Sequence, residues 1–394
     1  MLHCNKIIGT TMRSNFLDEM TRAAKLVSAG KLSTATSVIQ EALGRSSPVP
    51  PVLERPDPDV STLDGYITEV AAPAKAPEPE VVPPAPAAAR GPVSNHDLFS
   101  AGYFHEQGIQ GRYKVFVPSR RGHGPLSLVV MLHGCTQSPD DFAAGTEMNE
   151  RAAEQGFVVL YPAQSTAANP SRCWNWFKRE DQARGAGEPA LLAAMTRAIV
   201  DEYGLDDRRV AIAGLSAGGA MAAIVASAYP ELFAAVGIHS GLPVGSARNV
   251  PDALSVMRTG QRRKPRTVRP ETEQGSIPTI VFHGDVDQTV HPLNGASAID
   301  AAVEAHGGTG VQKEVLEGSS GGKSFRRSVY TTADASALAE HWVVSGTAHA
   351  WSGGNVRGTY TDSRGPSATD EMLRFFATAV EQRTRSSISR PASA

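Results

Sequence analysis

Ser216 lies in Gly214-Leu-Ser216-Ala-Gly218, directly after the apolar run Val210-Ala-Ile-Ala213 and directly before the small-residue run Gly219-Ala-Met221. A serine with glycines two positions before and two after, where a strand passes into a helix, is the pattern of a nucleophile elbow. So tight a turn leaves no room for a side chain at either glycine, and its strained backbone lifts the hydroxyl into an open site. The same five residues can also make a glycine-rich turn with a solvated serine; the strand before and the helix after favour the elbow.

A serine hydroxyl is a weak nucleophile at neutral pH and needs a base, usually histidine, oriented by a carboxylate. In sheets that carry an elbow, the acid and then the histidine follow the nucleophile, each in a loop after a later strand. The apolar run 279–282 is followed by His283-Gly-Asp285-Val-Asp287-Gln-Thr-Val290. Asp285 sits against the strand end, where it suits a turn or cap, so Asp287 is the preferred acid. The strand-like run 339–344 leads into Ser345-Gly-Thr-Ala-His349-Ala-Trp351, which makes His349 the candidate base. The chain has 11 histidines, so rivals must be weighed. His341 falls inside the strand, and His105, His123 and His306 lie before the sheet or in polar loops. His239, His283 and His291 fall on the right edge, but none follows the acid as naturally as His349.

The developing oxyanion needs donors. One is the Ala217 amide, which follows the nucleophile at a helix start; the other comes from the loop after an earlier strand. That loop is His133-Gly-Cys135-Thr-Gln137, with Gly134 free to turn the Cys135 N–H inward and His133 at its head. Residues 172–177, Arg-Cys-Trp174-Asn-Trp176-Phe, are aromatic-rich for a loop in a chain with four tryptophans. Trp174, Trp176 and Trp351, with His133, are the candidate substrate-binding residues: the rings either wall an acyl site or pack the edge of the core. Cys135 and Cys173 are either joined across these two loops or are two small buried residues.

Stretches 112–117, 126–132, 157–161, 210–213, 234–239, 279–282 and 339–344 read as strands. Residues 143–155, 188–203, 217–229 and 367–381 read as helices between or after them. That alternation predicts an α/β fold, a mostly parallel sheet with helices on both faces. Residues 241–276 read as an irregular excursion with a solvated basic patch of Arg262, Arg263, Lys264, Arg266 and Arg269. Upstream, residues 1–46 read as an amphipathic helical hairpin broken at Gly30. Residues 47–97 read as a Pro/Ala-rich flexible linker, 98–382 as the globular domain and 383–394 as a polar tail.

A net charge of -2 gives no electrostatic reason to expect nucleic acid as a partner. No run is apolar enough to span a membrane, and the 3 cysteines match no zinc spacing, so neither metal nor cofactor is expected. The N-terminus does not read as a secretory signal, which leads to the expectation of a cytoplasmic protein with reduced thiols.

Leu132-His-Gly-Cys-Thr-Gln137, Tyr161-Pro-Ala-Gln164, Cys173-Trp-Asn-Trp-Phe177, Gly214-Leu-Ser-Ala-Gly-Gly-Ala-Met221, His283-Gly-Asp-Val-Asp-Gln-Thr-Val290 and Gly346-Thr-Ala-His-Ala-Trp351 occur in that order. Together they resemble the polyhydroxybutyrate depolymerase family of serine esterases, which shares its fold with feruloyl and acetylxylan esterases. The resemblance covers residues 102–376. It implies an α/β-hydrolase fold with Ser216 as nucleophile, Asp287 as acid, His349 as base and the Cys135 and Ala217 amides as oxyanion donors. It also implies an ester or polyester substrate: a 3-hydroxybutyrate polymer or oligomer, or else a plant-wall ester. Many depolymerases of the family are secreted and carry a polymer-binding domain, and neither a signal nor such a domain is visible here. Residues 1–46 match no family motif; they are a candidate docking arm for a polyester granule or a protein partner.

Overall fold

The computed structural model describes residues 96–106, 108–119, 126–260 and 277–388, all within a compact unit spanning Val82–Ala394. The expected hairpin over 1–46, almost all of the linker and the basic patch at 262–269 lie outside the described residues.

In chain order the strands are β1 (Leu98–Glu106), β2 (Ile109–Val117), β3 (Leu128–Leu132), β4 (Val158–Ala163), β5 (Val210–Leu215), β6 (Ala235–His239), β7 (Thr279–Gly284), β8 (Gln312–Ser320), β9 (Lys323–Thr331) and β10 (Ala337–Val344). They form one sheet in the order β1-β2-β4-β3-β5-β6-β7-β10-β9-β8. The six strands from β4 to β10 in that order run parallel, and an antiparallel hairpin flanks each side. A small parallel pair, β11 (Trp351–Ser352) and β12 (Thr361–Asp362), follows.

The helices are α1 (Pro139–Thr146), α2 (Met148–Gln155), α3 (Gly187–Tyr203), α4 (Ala217–Ala228), α5 (Val250–Thr259), α6 (Leu293–Ala305) and α7 (Ala368–Ile388). The central strands are unbroken apolar runs because both faces of the sheet are covered. In β3, Leu128, Val130 and Leu132 join a core containing Leu192 and Ile199 of α3, Met221 and Val225 of α4 and Ile299 of α6. Val129 and Met131 point the other way, to Phe142 of α1, Met148 of α2 and Met372 and Phe376 of α7. Parallel strands joined by crossovers present all their C-terminal ends along one edge, and that edge collects the loops after β3, β5, β7 and β10.

Several elements differ from the sequence expectation. The single helix read over 143–155 is two helices, because Glu147 takes φ 55° between α1 and α2. Within the stretch read as irregular, α5 forms: the Asn249 side chain accepts the Asp252 N–H at 2.9 Å, and Pro251 lies in its first turn. The last helix reaches Ile388, so the start of the expected polar tail is helical. Among the described residues no helix is long and apolar enough to cross a membrane.

Candidate active site

Ser216 stands between the last residue of β5 and the first of α4 at φ 58°, ψ −119°. An L residue adopts that conformation only under strain, at a cost of roughly 1–3 kcal/mol. The Ser216 N–H donates to the His239 carbonyl at 2.8 Å, which ties the elbow to the end of β6. A Cβ at Gly214 would lie 2.4 Å from the Gly218 carbonyl, and one at Gly218 would lie 2.1 Å from the Leu132 oxygen. Both are backbone atoms that cannot swing aside, so the two glycines are sterically required, as the spacing suggested. Every residue from Ala217 to Ala226 is buried, so α4 is apolar on all sides and lies flat against the sheet. The Ala217 amide is one of the donors that a helix start leaves without an intrahelical partner.

The loop after β3 is fixed from several directions. The Gln137 side chain accepts the Gly134 N–H at 2.8 Å and donates to Asp141 Oδ2 at 2.8 Å and to the Thr359 carbonyl at 3.0 Å. A disulfide joins Cys135 to Cys173, and the Thr136 N–H donates to the Ser171 carbonyl at 2.7 Å. The expectation of reduced thiols is therefore corrected for this pair; the two cysteines cross-link the loop after β3 to the aromatic loop. His133 accepts the Gln164 N–H on Nε2 at 3.2 Å, so its Nδ1–H donates to the Gly134 carbonyl at 2.8 Å. Burial pushes the His133 imidazole down to about 4, which keeps it neutral in that arrangement.

Behind this loop lies a polar cluster that sequence reading missed. Glu188, in the first turn of α3, accepts the Asn175 N–H at 2.7 Å, Asn175 Nδ2 at 2.6 Å and Gln164 Nε2 at 2.5 Å. Gln164 also donates to the Cys173 carbonyl at 3.0 Å. Burial pushes the Glu188 carboxyl up to about 7, against the pull of its donors. A carboxyl raised from its ordinary 4.5 to about 7 binds its proton more tightly folded than unfolded. Its stability contribution is therefore fully present below about pH 4.5 and falls away as the pH rises to about 7. Glu188→Gln has no proton to lose there, so in urea denaturation the parent should lose stability relative to the variant between about pH 4.5 and pH 8. A difference in midpoint that stays constant over that range would contradict the buried carboxyl.

The aromatic rings take core positions. Trp174 and Trp351 are each 1 % exposed and Trp176 is 5 % exposed. Trp174 Nε1 donates to the His133 carbonyl at 3.1 Å, and Trp351 Nε1 donates to Thr369 Oγ1 at 3.0 Å. Trp351 stacks on His239 at 4.9 Å between ring centroids. The wall expected from Trp174, Trp176 and Trp351 is thus corrected to packing that fixes the loops, and His133 is buried with them. Beside His349 the exposed ring is Tyr360, at φ 53°, edge-on to the imidazole at 6.3 Å, with its hydroxyl 3.4 Å from Thr136 Oγ1.

The loops after β7 and β10 meet. His349 Nδ1 is 2.7 Å from Asp287 Oδ2, and Asp287 Oδ1 accepts the Thr289 and Val290 amides, both at 2.9 Å. Asp285 instead accepts the Gly346 N–H at 2.7 Å, as a brace for the histidine loop. Burial pushes the Asp287 carboxyl up, but hydrogen bonds from His283 and His349 outweigh it and hold the group well below the ordinary carboxylate range. An ionised carboxylate only accepts, so His349 carries its proton on Nδ1 and presents Nε2 as the free base. Lys323 of β9 is buried and donates to the Gly346 carbonyl at 2.7 Å, Thr347 Oγ1 at 2.8 Å and Asp362 Oδ2 at 2.6 Å. All three ammonium protons are used, two of them on the residues just before His349. No local signal marks Lys323, because its partners lie in distant loops.

A nucleophile elbow, a mostly parallel sheet and loops meeting at its C-terminal edge define an α/β-hydrolase fold. The acetyl xylan esterase from Aspergillus awamori shares it, with a TM-score of 0.54, 18 % identity, and coverage of 71 % of this chain and 99 % of that one. The family profile described as "Esterase PHB depolymerase" matches residues 112–309, half of the 394-residue chain, and the chain belongs to that family. Among curated relatives, "Poly(3-hydroxyalkanoate) depolymerase C" of Paucimonas lemoignei is 31 % identical over 229 residues, 56 % of this chain and 54 % of that protein. "Acetylxylan esterase A" of Emericella nidulans is 29 % identical over 195 residues, 46 % of this chain and 63 % of that protein. The chain spans between about half and just under two thirds of the length of these curated relatives.

Proposed function

We propose that the protein is a serine carboxylic ester hydrolase. The observation that carries this reading is the His349–Asp287 contact at 2.7 Å on the sheet edge that also holds the Ser216 elbow. His349 Nε2 takes the Ser216 proton as Oγ attacks the ester carbonyl, and Asp287 fixes the tautomer and stabilises the imidazolium. The Cys135 and Ala217 amides receive the oxyanion, a role in which one lost donor costs about 10²–10³-fold in turnover. The imidazolium then gives its proton to the leaving alcohol, and water repeats the cycle on the acyl-enzyme.

The favoured substrate is poly(3-hydroxybutyrate) or a short-chain hydroxyalkanoate oligomer. The family membership and the named activity of the Paucimonas relative support it. A feruloyl- or acetylxylan-type ester is the second reading, supported by the fungal relatives. Residues 1–46 are proposed to dock on a polyester granule or partner, separate from catalysis.

Ser216→Ala is expected to abolish turnover of p-nitrophenyl butyrate while leaving the circular dichroism spectrum unchanged. Undiminished turnover in the folded variant would sink the mechanism. Parallel assays on polyhydroxybutyrate granules and acetylated xylan separate the two substrate readings.

A further inference from the structure

His283 falls on the same sheet edge but precedes the acid, so sequence order sets it aside as the base; the structure gives it a different place. It is the penultimate residue of β7 and has no exposed surface. Its Nε2 lies 2.8 Å from the Val290 carbonyl and 3.4 Å from Asp287 Oδ2. The Val290 amide, in turn, donates to Asp287 Oδ1 at 2.9 Å. One residue thus offers its N–H to the carboxylate and its C=O to the imidazole beside it.

The protonation of the ring follows from its neighbours. A carbonyl and a carboxylate both accept, so Nε2 carries the proton and is shared between them. Nδ1 is buried with no hydrogen-bond partner among the described residues. It faces α6 at Gly295, where a Cβ would lie 2.7 Å from it. The other titratable groups around this ring are Asp287, His349, His239 and His341. Burial pushes both His239 and His341 down.

We propose that His283 is a positioning residue for the reaction: a buried donor that, with the Val290 peptide, fixes Asp287 Oδ2 in the direction of His349. It touches no substrate and moves no proton. Two histidines share one carboxylate oxygen in unlike roles: His349 gains and loses a charge, and His283 holds the oxygen still while it does. Gly295 completes the device, since only a residue without Cβ leaves the ring its place.

This rests on the ester-hydrolase reading, so the test runs beside Ser216→Ala. His283→Phe keeps the ring volume and loses the donor. His283→Gln loses volume but returns an N–H near the Nε2 position. His283→Asn places its amide near Nδ1, where nothing accepts. With p-nitrophenyl butyrate, Phe and Asn should lower kcat by about 10- to 100-fold at little change in KM, and Gln should stay within about 5-fold of the parent. Melting temperatures should not follow that order, because Phe fills the buried site better than Gln does. Full kcat in His283→Phe, or losses in kcat that track melting temperature across all three, would overturn the proposal. Should any of the three fail to fold, Gly295→Ala decides: it presses on the ring from the far side and should lower kcat, and unchanged kcat there overturns it equally. If Ser216→Ala remains active, the ester-hydrolase reading fails; if it is inert while the His283 series is flat, only the positioning role fails.

Discussion

Asp287→Asn should lower kcat for p-nitrophenyl butyrate by about 10⁴-fold, the scale of loss when a triad carboxylate becomes an amide. The reason lies in which atoms the carboxylate meets. Two backbone N–H groups, of Thr289 and Val290, both donate to Oδ1, so the asparagine must keep its oxygen there. Its NH2 group then faces His349, which has to turn its unprotonated nitrogen toward the amide. The proton moves to Nε2, and the base that should accept from Ser216 becomes a donor. Asp285→Asn is the internal control. Its contact is a single N–H from Gly346, which an amide oxygen receives as well, so kcat should stay within about 10-fold. A larger loss at 285 than at 287 would reverse the assignment of the acid.

Gly218→Ala should be severely damaging for a single added methyl group. Its Cβ would stand 2.1 Å from the Leu132 oxygen and 2.6 Å from the His133 oxygen, both main-chain atoms of the strand and loop that carry the Cys135 amide. Overpacking of an ordinary core site costs about 1–3 kcal/mol and is spread over flexible side chains. Here α4 itself would have to lift from the sheet, moving Ser216 and Ala217 together. A stability loss of about 3 kcal/mol or more is expected in urea denaturation, with turnover falling by at least about 10³-fold in whatever remains folded. Gly204→Ala makes a contrast: nothing lies within 4 Å of the added carbon, and the cost is confined to its φ of 60°. Equal stability of the 218 and 204 variants would show that the close approach does not constrain the elbow.

The elbow, the order of acid and base and the parallel sheet were legible because each is written locally. Glycine spacing, apolar runs and short loops at strand ends are properties of a few consecutive residues. Asp287 could be preferred over Asp285 from distance to the strand end alone, and the hydrogen bonds of both agree with that choice. What escaped is what depends on contacts between distant segments. Glu188, at the start of α3, meets Asn175 and Gln164 from two loops, and nothing in any one of these segments announces a buried carboxyl. Lys323 in a strand reads as a solvated charge until its three partners in other loops are known. The tryptophans of these loops could be read as a wall or as the edge of the core, since a ring in a loop has the same letters either way; their burial decides for packing. Helix α5 is a different kind of omission: Asn249 and Pro251 are a cap and first-turn signal that was available.

The position of β10 has a consequence for how the molecule can be divided. The strand that delivers His349 lies between β7 and the β8–β9 hairpin, and the family match ends at residue 309, after β7 and before β8, β9 and β10. A chain cut after 309 keeps nucleophile and acid and lacks the base. It would also expose β7, buried at every position, as a bare apolar edge that seeks another strand. The two pieces therefore behave as halves of a lock: one is inert and adhesive alone, and the other completes the sheet and the proton relay by docking β10 beside β7 and laying α7 back on the sheet. That makes the 309 junction a natural place to split the protein into complementing fragments whose recovered turnover reports their encounter.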